Sequence, residues 1–167
     1  MKDVASLVRK AIKPDLTRPF LVRFESTTTA AAAWSRELLE ATLGVQLPEQ
    51  LVEIWNEVSS LRLFEDREYG QWGLVLGPPA RARELTEQQA GQRRDQIVPG
   101  DLVVGEFLGD SDLVLIRCDA SKADFGRVLV ERPIDGREFW PEVGESIDGF
   151  LEKYTRAGGE KFWDHHA

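Results

Sequence analysis

The chain has 167 residues, 21 basic and 29 acidic side chains, a net charge of −8, and 42% apolar and 30% charged residues. That length and balance predict one soluble globular domain with a proper core, and they exclude a disordered chain. The negative surplus disfavours direct contact with nucleic acid or anionic lipid, while it suits a basic partner.

No apolar run approaches the ~20 residues that a bilayer span requires. Met1-Lys2-Asp3 leads into an amphipathic segment rather than an apolar leader. Cys118 is the single cysteine, so no internal disulfide is expected. Together these features predict a cytoplasmic protein.

In chain order, Val4, Leu7, Val8, Ala11 and Ile12 form a helical stripe over residues 3–13, between the cap Asp3 and the stop Pro14. Phe20–Phe24 reads as a short strand. Residues 1–28 together read as an N-terminal adornment on an α+β domain over 29–157, followed by a tail over 158–167. The run Thr29-Ala-Ala-Ala-Ala33 predicts a second helix from about residue 29 to 43, with Gly44 suited to end it in a left-handed conformation. Pro48 and Glu49 suit the start of a third helix, with Leu51, Ile54, Trp55 and Val58 as its stripe.

The period then changes to strand. Leu61–Phe64 and Gln71–Leu76 flank a charged turn, Glu65–Gly70, and Gly77-Pro78-Pro79 stops the second run. The polar stretch ELTEQQAGQRRDQ, beginning at Glu84, has no wide apolar stripe and reads as an exposed helix or an irregular crossover.

Asp101–Asp119 is the clearest hairpin. With Gly109-Asp110-Ser111-Asp112 as its loop, Phe107 would face Val114 and Glu106 would face Leu115. One face would carry Val103, Gly105, Phe107, Val114, Ile116 and Cys118. The other would carry Val104, Glu106, Leu108, Leu113, Leu115 and Arg117, with a diagonal Glu106–Arg117 pair. Gly126–Glu131 is a third strand in this part of the chain and Pro133–Gly136 a turn. Ser146 opens a last helix with Ile147, Phe150, Leu151 and Tyr154 as its stripe, and Gly158-Gly159 ends it. The tail from Glu160 is polar apart from Phe162 and Trp163. Helices, then a meander of strands, then a helix predict an α+β fold: a mainly antiparallel central sheet of about four to six strands with helices packed against it.

Catalytic signals are sparse. The two histidines, His165 and His166, stand together at the end of the sequence and read as a frayed terminus. Cys118 lies on the dry face of a predicted strand and reads as a small buried hydrophobe rather than a nucleophile. Asp110-Ser111-Asp112 offers too few oxygen ligands for a calcium loop and reads as turn chemistry. No phosphate-cradling loop occurs. No catalytic, metal or cofactor site is expected.

Several segments together carry a family resemblance. Leu43-Gly-Val-Gln-Leu-Pro48 with Leu51, Ile54 and Trp55 resembles the opening helix pair of the SUKH superfamily, which includes fungal regulators of cell-wall synthesis. Val104–Ile116 is similar to that family's central strands. Gly126–Val130, Trp140 and Ser146–Leu151 resemble its closing strand and last helix. The likeness spans about residues 34–156; Ser59-Ser60 stands where the family has Asn-Gly, and residues 1–28 fall outside it. In bacteria the resemblance implies an immunity protein of a polymorphic toxin system, a non-enzymatic inhibitor that binds and neutralises a cognate toxin domain, often a nuclease. Nuclease domains tend to be basic, so an acidic inhibitor would be steered to one electrostatically.

The hairpin carries Asp101, Glu106, Asp110, Asp112 and Asp119 against Arg117 alone. Charge and expected exposure therefore single out Glu65, Asp66, Glu68, Trp72, Glu106, Asp110 and Asp112 as a partner-binding set, on a monomer or weak dimer. Two other classes stay open. One is a regulatory scaffold or small-ligand sensor in envelope synthesis, which a deep apolar pocket would favour. The other is a hydrolase, which needs two carboxylates converging in a closed cleft.

Overall fold

The computed structural model describes residues 24–166. The helix expected over 3–13 and residues 20–23 of the first expected strand lie outside them, as do the side chains of His165 and His166. Among the described residues the chain is α+β, with four α-helices and one antiparallel sheet of seven strands rather than four to six. The strands lie side by side in chain order: β1 Phe24–Ala30, β2 Val58–Asp66, β3 Leu74–Leu76, β4 Asp101–Phe107, β5 Leu113–Arg117, β6 Val128–Glu131 and β7 Glu142–Gly144. The helices are α1 Arg36–Leu43, α2 Glu49–Glu57, α3 Pro79–Gln92 and α4 Ile147–Arg156. No helix among the described residues is long and apolar enough to cross a membrane.

Thr29, expected to open a helix, lies in β1 together with Thr27 and Thr28. Their β-branched side chains suit a pleated strand, and the pairing with β2 overrides the helix propensity of the alanines that follow. α1 starts only after Ser35, whose Oγ accepts from the Leu38 N–H at 3.1 Å. Gly44 ends it in the left-handed region, at φ 64°, as expected. In α2 the stripe Leu51, Ile54 and Trp55 is buried, but Val58 already belongs to β2.

Both faces of the sheet are covered. The larger core packs α1, α2 and α4 against Leu61, Leu63, Leu74, Leu102, Val104, Phe107, Val114, Ile116 and Val130. A smaller cluster on the other face joins Val103, Leu113 and Leu115 to Leu85 of α3 and to Trp140. The polar stretch is therefore a regular helix, entered at Pro79. Its narrow buried stripe is Ala82, Leu85 and Thr86, enough to seat one side of a helix that is otherwise wet.

The central hairpin departs from the expected register. Glu106 pairs with Leu113, Gly105 with Val114 and Val103 with Leu115, so Val104 is an extra residue on β4. This β-bulge reverses the alternation along the strand. Val103 and Glu106 both point to the α3 face, while Val104 and Phe107 both enter the larger core. A Cβ at position 105 would lie 2.7 Å from Leu76 Cδ2 and 2.8 Å from the Val75 carbonyl oxygen, so only glycine fits beside β3 there.

The C-terminal stretch, expected as a polar tail, packs into the core. Trp163 is buried against Phe107, Phe150, Tyr154 and Phe162, with ring centroids 4.9–6.4 Å apart. Such aromatic pairs add about 0.5–1.5 kcal/mol each beyond their buried area.

β3 pairs with β4 only from Gly105 to Phe107, which leaves the start of β4 without a strand on that side. Thr86 replaces it: its Oγ donates to the Ala82 carbonyl at 2.7 Å and accepts from the Val103 N–H at 2.9 Å. Thr86→Val keeps the shape and orphans that buried N–H. Urea unfolding should show a loss of about 1–3 kcal/mol; an unchanged midpoint would mean the bond contributes nothing.

Candidate functional site

One cross-strand row organises the α3 face. Arg62 pairs with Val75, Val75 with Glu106, Glu106 with Leu113, and Leu113 with Glu131. These five side chains come from five successive strands and form the floor of an open groove of about 630 Å³. Arg81, Leu85, Gln88, Gln89, Gln92 and Arg93 of α3 form one wall; Leu108, Gly109 and Ser111 of the hairpin turn close one side and Pro133 the far end. The bulge is what brings Glu106 into this row; with unbroken alternation it would face the apolar core.

The groove's charges are individually matched. Arg81 grips both oxygens of Glu106, at 2.8 and 3.3 Å. Arg62 pairs with Glu65 at 2.6 Å. Arg93 donates to Glu131 Oε1 at 3.0 Å and also to the carbonyls of Arg132 and Asp135, at 2.8 and 2.6 Å. Glu131 is only 1% exposed, and its second oxygen, Oε2, has no hydrogen-bond partner among the described residues. Burial, outweighing the pull of Arg93, raises its pKa. The amides of Gln88, Gln89 and Gln92 have no hydrogen-bond partner among the described residues.

Behind the groove the loop from β6 to β7 is held stiffly. The guanidiniums of Arg93 and Arg137 lie over the Trp140 ring, 5.3 and 5.2 Å from its centroid. Arg137 and Arg117 both bind the buried carboxylate of Asp101. The expected Glu106–Arg117 pair is thus absent: Glu106 pairs with Arg81, and Arg117 with Asp101 and Asp124.

The sequence-derived contact set divides. Asp66, Trp72, Asp110 and Asp112 gather at one end of the sheet, where the β2–β3 turn, the hairpin turn and the closing segment meet. They serve the fold there. Asp66 is buried and accepts from the N–H groups of Glu68 and Tyr69. Trp72 donates its indole N–H to the Gly159 carbonyl at 3.0 Å. Lys161 sits 4.8 Å from the Phe107 ring centroid and pairs with both Asp110 and Asp112. Burial raises the pKa of Asp112, against the opposing pull of Lys161. Glu65 is held by Arg62 and Arg67, and Glu68 is exposed. Only Glu106 belongs to the groove. Sequence reasoning missed Glu131, Arg81, Arg93 and the glutamines; the one local hint was a carboxylate ending the apolar run VLVE.

Cys118 is buried, and burial pushes its thiol pKa up. Among the described residues no group of three or more His, Cys, Asp or Glu side chains is placed to hold a metal ion. No protein-family model matches the chain, and no curated protein matches it.

The hairpin-turn acids can be tested as structural groups. Lys161→Met preserves the apolar stem and strands two carboxylates. A loss of about 1–3 kcal/mol in urea unfolding is expected, with Asp110→Asn costing less because Asp110 is half exposed. Full stability in Lys161→Met would return the turn to the role of a free acidic surface.

Proposed function

We propose that this chain is a cytoplasmic, non-enzymatic binding protein that captures and neutralises a cognate bacterial toxin domain, as its SUKH resemblance implies, and that its docking surface is the groove between α3 and the sheet. The groove itself carries the reading. It is open along its length, floored by alternating charged and apolar side chains, and walled by glutamine amides whose hydrogen bonds are unspent. Such a surface offers both apolar contact and polar complementarity to a protein partner. The acids of the hairpin turn share Lys161, which ties the turn to the closing segment of the chain.

A hydrolase reading would use Glu106 and Glu131, whose strands stand two spacings, about 10 Å, apart. Each is clamped by its own arginine and Glu131 is buried, which supports recognition over acid–base chemistry. The groove's length and polar lining likewise favour a chain segment over the small apolar ligand of a sensor.

Co-expression with the product of the neighbouring toxin gene tests the proposal. The wild type should restore growth and co-purify with the toxin. A Gln88→Arg/Gln92→Arg variant should lose both, at unchanged thermal stability, while Asp110→Asn retains both. If no partner co-purifies and growth is not restored, the function falls; if the double variant protects as well as the wild type, the docking surface falls.

A further inference from the structure

We infer that the free edge of β1 pairs with the same edge of a second copy of this chain, so that the two sheets join into one. β1 is an edge strand: β2 runs along one side, and no described segment runs along the other. Alternate backbone N–H and C=O groups therefore point away from the sheet, a row open to another strand. Sheet edges are commonly blunted by a charge, a proline or a bulge on the edge strand itself. Ser26–Ala30 carries neither charge nor proline. The two irregularities in its pairing belong to β2. Glu25 and Thr27 are separated by one residue while their partners Glu65 and Arg62 are separated by two, and Thr29 and Ala30 are adjacent while Ser60 and Val58 are not. The surplus residues lie on the inner strand, and the edge strand runs unbroken. The opposite edge, β7, is guarded: it is three residues long and follows Pro141.

Charge selects the occupant. The chain carries a net charge of −8, so two copies repel over most of their surface. Residues 26–35 carry no charge, and Thr27–Ala33 are all exposed, so like-charged copies can meet here. The strand is also complementary to itself. An antiparallel pairing centred on Thr28 sets Thr27 of each copy opposite Thr29 of the other and Ser26 opposite Ala30, so that threonines pair across the junction. It sets position 25, the nearest charge in the sequence, opposite Ala31 rather than opposite itself. Beyond β1, Ala31, Ala32 and Ala33 line a shallow pocket of about 380 Å³ with Trp34 and Val52, which the end of the second strand would reach. The two-fold axis of such a junction stands perpendicular to the sheet, so the α3 faces of both copies lie on one side and both grooves stay open. The inference does not depend on the groove being the docking surface. A strand edge alone is smaller than a permanent interface, so the dimer is a weak one.

Sedimentation equilibrium of the full chain over a concentration series tests this. The wild type should pass from monomer to dimer as concentration rises. Thr28→Lys sets two lysines face to face at the centre of the junction, although it lowers the net negative charge. It should raise the dissociation constant about tenfold or more, while Thr28→Val should not raise it. The Gln88→Arg/Gln92→Arg variant should dimerise as the wild type does. A chain that stays monomeric at every concentration, a dimer that Thr28→Lys leaves intact, or a dimer that the groove variant disrupts overturns the inference. Should Thr28→Lys fail to fold, hydrogen exchange of the wild type decides: the amides of residues 26–30 must gain protection as concentration rises. Protection that appears only when the toxin is added overturns the inference and assigns the edge to that partner.

Discussion

Val104 and Gly105 together oppose Val114, and that one surplus residue turns the second half of β4 over. The consequences run in both directions from the sheet. Toward the larger core, Phe107 joins the aromatic group of Phe150, Tyr154 and Trp163, which fastens the closing segment. Toward α3, Glu106 takes its place in the row from Arg62 to Glu131 and meets Arg81. An unbroken strand would send a carboxylate into the apolar core, at a cost of several kcal/mol, and a phenyl ring into the polar groove, at about 1.5–3 kcal/mol. The absence of a side chain at position 105, where Leu76 and the Val75 carbonyl press close, makes the bulge possible.

The hairpin's surplus of acids is answered from elsewhere in the chain. Asp101 is matched by Arg137 as well as its strand neighbour Arg117, Glu106 by Arg81, and Asp110 and Asp112 by Lys161, at sequence separations of 16 to 51 residues. These pairs draw the β6–β7 loop, α3 and the closing segment onto the central strands. What appears in the sequence as an acidic surface is, in the fold, a set of attachment points. Glu131, outside the hairpin, is the more deeply buried case: Arg93 covers Oε1, and Oε2 is buried with no hydrogen-bond partner among the described residues.

Much of the architecture was legible in the sequence because it depends on local rules. The stripe of α2, the glycine stop of α1, the Ser146 cap and buried face of α4, and the alternation of β5 all follow from spacing and capping chemistry. The errors came where long-range pairing outweighs local preference. Thr29 and Ala30 became strand because β2 was there to pair with, and Trp163 is buried because four other rings receive it. The bulge could not be read from DLVVGEF, since both registers place apolar residues on both faces. The groove was invisible for the same reason: its row takes one residue from each of five strands, and only the register aligns them.

The central claim is that the bulge-built groove, rather than the hairpin turn, meets the partner. Amide chemical-shift mapping of the chain titrated with the product of the neighbouring toxin gene tests it most directly. The account predicts that the shifts concentrate on Gln88, Gln92, Glu106, Leu113 and Glu131. Shifts confined to Asp110–Asp112 and the closing segment around Lys161 would contradict it.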